Sequence, residues 1–241
     1  HGQPYIDMTL QWLSSQHIQY QRETKKNKTI YSVPGNQRYH HFHTTLTGDF
    51  SSASCPLTAA TLLDGHVEFT GLDMADTQGD KQLLFILQKM GAHLTIESTR
   101  LSIQGGYPLQ GIEIDAKNIP DLLPILAVIG TQATGKTYIY NIKQARFKET
   151  DRLHSMTEGL RKMGANLEEK EDSLTIYPNS LHGAIVNGYG DHRTVMALSV
   201  AGLLAEGNTC ILGSEAIHKT YPSYIHTLCQ LGADLYETNS S

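Results

Sequence analysis

The feature that most constrains the fold is an eight-residue pattern that occurs three times in the chain. The copies read Leu87-Gln-Lys-Met-Gly-Ala-His-Leu94, Leu160-Arg-Lys-Met-Gly-Ala-Asn-Leu167 and Leu228-Cys-Gln-Leu-Gly-Ala-Asp-Leu235. The glycines of successive copies lie 73 and 68 residues apart. A glycine that directly follows a helix takes up a positive φ angle at low cost. Each copy therefore predicts the end of a helix, and its last leucine is expected to enter a strand.

Each copy of the pattern belongs to a larger unit that contains two helices. The first helix of each unit is rich in alanine and leucine, and we predict these helices at 51–63, 120–133 and 191–205. A short strand follows in each unit, after Gly65, Gly135 and Gly207. Residues 122–129 are apolar on every side, which is typical of a buried helix. The sequence therefore predicts an α/β fold of repeated βαβαββ units, forming an inside-out α/β barrel-like domain with helices in the core and sheets as walls.

The beginning of the chain lies outside these repeats. We predict a helix over 4–16, strands over 18–23 and 29–33, and a turn over 25–28. Residues 1–45 are therefore interpreted as the C-terminal end of another domain, and residues 46–241 as the domain of repeats. Because the sequence lacks an initiating methionine and begins within a predicted helix, we expect it to be a piece of a longer protein.

The composition narrows the class of protein. The net charge is −5, so no general nucleic-acid-binding surface is expected. No apolar stretch reaches the ~18 residues of a membrane-spanning helix, and no signal peptide opens the sequence. Cys55, Cys210 and Cys229 are odd in number and lack the spacing of a disulfide framework. They predict reduced thiols in the core of a cytoplasmic protein.

A histidine-rich stretch contains His40, His41 and His43 and raises the question of a metal site. On a strand, its side chains would face opposite sides in turn, and no carboxylate or cysteine nearby completes a set of ligands. We therefore expect no metal site in this stretch.

The densest group of charges precedes the second helix of the middle unit. Lys148, Glu149, Asp151 and Arg152 lie within a span of five residues, and apolar residues at helical spacing follow. Either Thr150 or Asp151 can cap the helix, so the charges lie at its N-terminus, where free N–H groups and the helix dipole favour an anion. Such a cluster, taken alone, is more often a capped surface helix with solvated charges.

Polar residues also open the first helices of the units. Ser51 in unit one is interpreted as a simple helix cap. Asp121 and Asp191 could be caps as well, but we set that role aside for both. Asp121 opens a strongly apolar helix, where a partly desolvated carboxylate needs a cation and can act as a base. Asp191 is followed directly by His192 and Arg193 at the start of another buried helix, where exposed charges are not expected.

Lys219 immediately precedes a helix predicted over 222–231, with Pro222 as its first residue. Three helix N-termini thus carry cations. If equivalent ends of the repeats meet, these cations form one pocket for a polyanion, edged by Asp121 and Glu149. Cations, helix dipoles and two carboxylates in one place suit group transfer from a phosphorylated substrate. Independent surface charges are the alternative for any single one of these sites.

Five segments of the chain match the signatures of a known enzyme family, in that family's order. They are Arg146-Phe-Lys-Glu-Thr-Asp-Arg152, Asp191-His-Arg193 with Met196-Ala197, His218-Lys-Thr-Tyr-Pro-Ser-Tyr224, Asn118-Ile-Pro-Asp121, and Gly48-Asp49 with Ser51-Ser-Ala-Ser54. With them the chain resembles 5-enolpyruvylshikimate-3-phosphate synthase over essentially its whole length. The resemblance implies the enolpyruvyl transferase fold, in which two domains of three βαβαββ units each enclose the active site.

The resemblance also implies a reaction. The enolpyruvyl group of phosphoenolpyruvate is transferred to the 5-hydroxyl of shikimate 3-phosphate, and phosphate is released without any metal or organic cofactor. Glu149 would protonate the methylene carbon of phosphoenolpyruvate, and Asp121 would act as the base for the attacking hydroxyl. Lys148 would bridge the two substrates and assist proton transfer.

Binding roles follow from the same resemblance. Arg152, Arg193 and Lys219 would hold the carboxylate and phosphate of phosphoenolpyruvate, since guanidinium forks suit these anions. His192 would support the geometry of the site. The residues implied on the side of shikimate 3-phosphate are Tyr5, Asp121, Gln144 and Lys148.

The chain also departs from the family pattern. Gln144 stands where many members have asparagine, and Gly2 stands where a phosphate-binding serine is usual. The first half of the family has no counterpart, so a missing N-terminal domain is expected as a partner and the isolated chain is expected to be inactive. One alternative is an enzyme like UDP-N-acetylglucosamine enolpyruvyl transferase, against which the Lys-Glu-Thr-Asp-Arg and Asp-His-Arg signatures count. The other is a non-catalytic binding domain of the same fold, against which the retained carboxylates and cations count.

Overall fold

The computed structural model describes residues 2–26 and 28–238 of the chain. Its first elements are helix α1 (Gln3–Ser15) and a hairpin of β1 (Gln21–Lys25) and β2 (Lys28–Ser32). The helix and the two strands are confirmed, with bounds shifted by three residues at most, while Asn27 of the predicted turn lies outside the described residues. β1 and β2 pair antiparallel and, among the described strands, only with each other.

The repeats form three consecutive units. Unit one contains α2 (Phe50–Leu62), β3 (His66–Thr70), α3 (Gln82–Lys89), β4 (His93–Ile96) and β5 (Arg100–Gln104). Unit two contains β6 (Leu109–Gln110), β7 (Glu113–Asp115), α4 (Leu123–Gln132), β8 (Ala133–Thr134), β9 (Thr137–Tyr140), α5 (Arg152–Lys162), β10 (Asn166–Glu169) and β11 (Ser173–Tyr177). Unit three contains β12 (Ile185–Asn187), α6 (His192–Leu204), β13 (Cys210–Leu212) and α7 (Tyr224–Gln230).

The predicted helices are present, and two of them begin differently from the prediction. The helix predicted from residue 120 opens as a 3₁₀ turn, Pro120–Leu122, before α4. Pro124 has no N–H to donate to residue 120, so an α-helical first turn cannot close there. The prediction that Pro222 is the first residue of the last helix is wrong, because a turn in which Tyr224 N–H donates to the Tyr221 carbonyl (3.0 Å) precedes α7.

Only unit two shows the complete βαβαββ order among the described residues. Its sheet has the order β10-β11-β9-β7, with β7 parallel to β9 and the other pairs antiparallel. Unit one has an antiparallel sheet in the order β3-β5-β4, and unit three has, as far as residue 238, the parallel pair β12–β13 alone. The prediction that each unit contains the full set of strands is therefore wrong for units one and three.

The glycines of the repeated pattern end their helices as predicted, with φ angles of 100° at Gly91, 91° at Gly164 and 101° at Gly232. The leucines that follow the first two glycines lie in β4 and β10. Leu235 does not lie in a strand, contrary to the prediction. β10 is held by its pairing with β11, and residues 233–238 have no such partner strand in the described part of the chain.

The core lies between the first helices of the units. α2, α4 and α6 pack against one another, and every residue from 122 to 129 is buried. α5 packs against both α4 and α6 and approaches α6 closely, since a Cβ at Gly159 would lie 2.9 Å from Leu198 Cδ2. The strands flank this helical core, so the inside-out α/β arrangement is confirmed. Over residues 2–26 and 28–238, no helix has the length and apolar character needed to cross a membrane.

The cysteines differ in their surroundings. Cys55 is buried within α2, and burial raises the pKa of its thiol to about 12. Cys210 and Cys229 are exposed, so the prediction that they lie in the core is wrong. Cys210 opens β13, whose two-stranded sheet leaves one face uncovered, and Cys229 lies on the outer side of α7.

The histidine-rich stretch is not a strand, because residues 33–49 form an irregular segment that contains Pro34 and Gly35. The rings of His41 and His43 meet edge to face, with their Nε2 atoms 3.1 Å apart. In the described part of the chain, no group of three or more histidine, cysteine or carboxylate side chains could hold a metal ion.

Candidate active site

The loop before α5 is anchored at both ends. The Asp151 side chain accepts a hydrogen bond from a backbone N–H in the first turn of α5 (3.0 Å), so Asp151 rather than Thr150 is the cap. Arg146 donates to the Asp151 carboxylate and to Glu169 on β10, both at 2.8 Å. These bonds tie the loop to the sheet of unit two and hold residues 147–150 at the N-terminus of α5.

The Arg152 side chain lies at the centre of the site and is only 1% exposed. Its Nη1 donates to Asp121 Oδ1 (2.7 Å), its Nη2 to Glu149 Oε2 (2.6 Å) and its Nε to Asp191 Oδ2 (2.7 Å). Burial alone would lower the pKa of Arg152, but the hydrogen bond and charge of Asp191, with the charges of Asp121 and Glu149, hold it above its usual value. A buried guanidinium requires such partners, because an unpaired charge in the interior is strongly destabilising.

Asp191 links two helices. Its side chain is fully buried, and its Oδ1 accepts from the backbone N–H groups of Arg193 (2.8 Å) and Thr194 (3.4 Å), which caps α6. Setting the cap role aside for Asp191 was therefore wrong. Asp191 Oδ2 accepts from Arg152 Nε, while Oδ1 caps α6 and also accepts a longer hydrogen bond from Arg152 Nη2 (3.4 Å). The N-termini of α5 and α6 consequently meet at this carboxylate.

Asp121 lies on the 3₁₀ turn before α4 and faces the same guanidinium. Its side chain caps no helix, as expected, and its Oδ1 also lies 3.2 Å from Lys148 Nζ. Burial alone would raise the pKa of Asp121, but Arg193, Lys148 and Arg152 together hold it below its usual value. At neutral pH the site therefore contains an ionised carboxylate that can accept a proton.

Arg193 and His192 open α6 beside this cluster. Within the described residues, no hydrogen bond or ion pair engages the Arg193 guanidinium, although its charge lowers the pKa of Asp121. His192 is buried, and burial, followed by the charge of Arg193, lowers the pKa of its imidazole. Its Nδ1 has no hydrogen-bond partner in the described structure and lies 3.9 Å from Asp191 Oδ1. His192 is thus a neutral ring at neutral pH.

The other predicted site residues differ in how closely they are joined to this cluster. Lys219 Nζ donates to the carbonyl of Gly190 (2.9 Å), directly before the cap of α6. The Glu149 side chain is 47% exposed and therefore lies at the mouth of the cluster. Gln144 is exposed on the 3₁₀ helix Lys143–Phe147, and no hydrogen bond in the described structure joins it to the cluster. Tyr5 approaches from α1, and its hydroxyl donates to Asp80 Oδ1 (3.0 Å).

The sequence analysis missed Asp80, whose side chain is almost completely buried. The Ser51 hydroxyl donates to Asp80 Oδ2, and Ser51 is not a helix cap. Asp49 caps α2 instead, by accepting from the N–H groups of Ser51 (3.0 Å) and Ser52 (3.1 Å). Asp80 directly precedes the second helix of unit one, as the charged cluster precedes the second helix of unit two. The repeat argument, extended to this position, would have found it.

The arrangement combines two kinds of chemistry. The cations Arg193 and Lys219 lie at the N-terminus of α6 without a carboxylate partner in the described residues, which suits the binding of an anion. The carboxylates Asp121 and Glu149 are held on two edges of one guanidinium and can act as acid and base. Proton transfer to and from a bound polyanion is therefore what the geometry favours.

Comparison with known proteins identifies the family of the chain. The family model for EPSP synthase (3-phosphoshikimate 1-carboxyvinyltransferase) matches residues 1–228. A 3-phosphoshikimate 1-carboxyvinyltransferase of Acetivibrio thermocellus is 46% identical over 232 residues, which are 96% of this chain and 54% of the relative. One from Methanocaldococcus jannaschii is 42% identical over 235 residues, covering 97% of this chain and 54% of the relative. The chain thus spans about half the length of the curated relatives it matches.

Solved structures show the same fold. An EPSP synthase from Acinetobacter baumannii matches with a TM-score of 0.78 and 24% identity, over 92% of this chain and 53% of that one. The enolpyruvyl transferase NikO from Streptomyces tendae matches with a TM-score of 0.75 and 20% identity, over 99% of this chain and 55% of that one. The fold is therefore that of the enolpyruvyl transferases. Together with the family match and the identity to named relatives, this establishes that the chain belongs to the EPSP synthase family.

Proposed function

We propose that this chain forms one side of the active site of an enzyme that transfers the enolpyruvyl group of phosphoenolpyruvate to the 5-hydroxyl of shikimate 3-phosphate. The observation that carries the proposal is the buried Arg152 guanidinium with Asp121 and Glu149 on its two Nη groups. The relatives that bear the name 3-phosphoshikimate 1-carboxyvinyltransferase support the same reaction. The product would serve the synthesis of aromatic amino acids.

The two carboxylates would divide the proton transfers. Glu149, at the exposed edge, would protonate the methylene carbon of phosphoenolpyruvate, while Asp121 takes the proton of the attacking hydroxyl. A bond then forms between that oxygen and C2 of phosphoenolpyruvate. Loss of phosphate from C2 and of a proton from the new methyl group restores the double bond and completes the transfer. The lowered pKa of Asp121 supports its part, because the carboxylate is ionised before the substrate arrives.

Arg152, Arg193 and Lys219 would hold the carboxylate and phosphate of phosphoenolpyruvate. Asp191 fixes the Nε side of Arg152, so a ligand carboxylate would approach the Nη groups, where it would compete with Asp121 and Glu149. This competition would weaken the hold of Arg152 on the two carboxylates when the anion binds. Lys148 would bridge the substrates, and the neutral His192 ring would keep α6 in register beside Arg193.

The acceptor substrate would be bound by Tyr5, Asp121, Gln144 and Lys148. Gln144 is exposed on its 3₁₀ helix, and its side chain would extend to the ligand from there. We further propose residues 1–45 as the end of a first domain and 46–241 as the second domain, with the rest of the first domain completing the site. Because free cysteines remain reduced there, the cytoplasm is the proposed place of action.

The test is phosphate release from phosphoenolpyruvate and shikimate 3-phosphate, measured with this chain alone and mixed with a separately made first domain. The first domain can be taken from the Acetivibrio thermocellus relative, as the part that this chain does not match. Association of the two pieces is checked by sedimentation before the assay. A single polypeptide in which the two parts are joined serves as the second arm.

Turnover in the mixture or the joined polypeptide, lost in Glu149→Gln and absent with UDP-N-acetylglucosamine as acceptor, is the expected result. A well-folded, associated mixture without turnover would overturn the proposal. If UDP-N-acetylglucosamine supports turnover and shikimate 3-phosphate does not, the acceptor substrate is the uridine nucleotide. Turnover by the chain alone would show that the first domain is not needed for the site.

A further inference from the structure

Helix α1 is attached to the units by a few polar and apolar contacts. Leu10 is its only buried residue, and Trp12 is 44% exposed. The attachment is made by the segment 76–81 that follows β3. Thr77 Oγ1 donates to Gln11 (2.9 Å), and a Cβ at Gly79 would lie 2.9 Å from the side chain of Pro4 in the first turn of α1. The position of α1 therefore depends on this segment.

The same segment binds the N-terminus of α2. The Gln78 side chain accepts from Phe50 N–H (2.8 Å) and donates to the Gly48 carbonyl (2.9 Å). The Asp80 side chain is 1% exposed, and it accepts a hydrogen bond from Tyr5 on one oxygen and from Ser51 on the other. Asp80 is thus the buried acceptor that joins α1 to α2. An acceptor with no access to water gains more from such bonds than an exposed one, because water cannot compete for them.

The hydroxyl of Tyr5 has only one proton, and that proton is directed at Asp80 Oδ1. The hydroxyl oxygen can therefore act towards other groups only as a hydrogen-bond acceptor. The segment that carries Asp80 also packs beside the candidate active site, because a Cβ at Gly79 would lie 3.1 Å from the carbonyl oxygen of Asn118, three residues before Asp121. In agreement with this position, the charges of Asp121 and Arg193 act on the pKa of Tyr5, after the larger effect of burial. The phenol oxygen consequently stands beside the candidate active site as an acceptor.

We propose that Asp80 is a positioning residue that holds the Tyr5 phenol oxygen at the acceptor-substrate side of the site. In this position Tyr5 would accept a hydrogen bond from a substrate hydroxyl and would not donate one to the substrate phosphate. The part of the proposal that concerns the substrate rests on the proposed function. The link between Asp80, Tyr5 and α1 does not rest on it, and it can be tested in this chain alone.

The first experiment uses the chain labelled with ¹³Cζ tyrosine, with the Tyr5 resonance assigned through Tyr5→Phe. Removing the Asp80 charge in Asp80→Asn and Asp80→Ala is expected to make the Tyr5 phenol titrate at lower pH than in the wild type. Hydrogen exchange of α1 is expected to become about tenfold faster in Asp80→Ala and in Tyr5→Phe, as loss of one bond to a charged group implies. In Asp80→Asn, which keeps an acceptor oxygen, the exchange rate should largely recover.

Ser51→Ala is the matched control, because it removes the other partner of Asp80 and leaves Tyr5 untouched. It should change neither the Tyr5 titration nor the exchange of α1. An unchanged Tyr5 titration in Asp80→Asn would overturn the link between the two residues. If Asp80→Ala fails to fold, the titration in Asp80→Asn and the hydrogen exchange in Tyr5→Phe test the link between Asp80 and Tyr5.

The second experiment uses the assembled two-domain protein and compares the dissociation constants of shikimate 3-phosphate and shikimate. If Tyr5 accepts from a hydroxyl, Tyr5→Phe should weaken both ligands by the same factor, about tenfold. A loss confined to the phosphorylated ligand would show a phosphate contact and overturn this part of the proposal. In the same variant the KM of phosphoenolpyruvate should stay within about twofold of the wild-type value, because the lost hydrogen bond affects the binding of the acceptor substrate and not that of phosphoenolpyruvate. If neither ligand binds the wild type, the proposed function fails, while the titration still decides the role of Asp80.

Discussion

Arg152 and Asp191 form a buried ion pair, with Nε and Oδ2 2.7 Å apart and neither side chain more than 1% exposed. The other oxygen of Asp191 caps α6. One carboxylate therefore fixes the direction of the guanidinium and the start of a core helix together. Because Asp191 holds the Nε side of Arg152, the two Nη groups are left to face Asp121 and Glu149 at the mouth of the site.

Replacing Asp191 should cost far more stability than the loss of a helix cap. Asp191→Ala removes the cap and leaves the Arg152 charge buried without its main partner, so we expect a loss of about 3–5 kcal/mol in the free energy of unfolding. Asp49→Ala is the matched control, because Asp49 caps α2 in the same way. Its loss should cost about 1 kcal/mol. Urea unfolding of the chain measures both, and equal losses in the two variants would contradict the central role of the ion pair.

Glu149→Gln should separate activity from stability. The Glu149 side chain is half exposed, so its replacement should change the free energy of unfolding by less than about 1 kcal/mol. In the assembled enzyme, loss of a group that transfers a proton should lower kcat by about 10²-fold or more. The control is Glu171→Gln, which replaces an exposed glutamate between β10 and β11 that pairs with Lys143. This variant should leave kcat unchanged. Equal activity of the Glu149→Gln variant and the wild type would exclude the proposed proton transfer.

The sequence was sufficient to predict the elements whose signals are local. The apolar period of α5, a cap at Thr150 or Asp151 and the C′ glycines each depend on residues within one or two turns, and all are present, with Asp151 as the cap. The predicted anion pocket required equivalent helix ends of the repeats to meet, and Arg152 does contact Asp121 and Asp191 from the other helix ends. These predictions succeeded because units of one architecture place equivalent ends on the same side.

The features that the sequence could not show depend on contacts between distant segments. Tyr5 and Asp80 are 75 residues apart, and nothing in either neighbourhood indicates that they meet. The cap role was set aside for Asp191, while in the structure the same carboxylate caps α6 and accepts hydrogen bonds from Arg152. The strand expected at Leu235 is missing because strand formation requires a partner, which no local pattern reports.

The stability contributed by Asp121 should depend on pH. Its pKa is lowered in the folded chain, so its contribution is complete above its unfolded pKa of ~3.9 and is lost as the pH falls through the folded value. At pH 7, Asp121→Asn should cost about 1.5–3 kcal/mol, as the loss of hydrogen bonds to charged groups implies. That difference from the wild type should shrink below about pH 4. Urea unfolding between pH 2.5 and pH 7 is the measurement, and a difference independent of pH would contradict the prediction.

Asp80 should show the opposite dependence. Burial, the largest effect, raises its pKa in the folded chain despite the hydrogen bonds from Ser51 and Tyr5. The folded chain therefore binds the proton more tightly than the unfolded one. The stability that the neutral carboxyl contributes is complete below ~3.9, the unfolded pKa, and is lost as the pH rises through the folded value. Asp80→Asn has no such titration, so the wild type should lose stability relative to this variant as the pH rises from about 4 towards 7. The same unfolding series measures this difference. A wild-type advantage that grows with pH would mean that Asp80 is ionised at little cost and that its bonds to Tyr5 and Ser51 outweigh its burial.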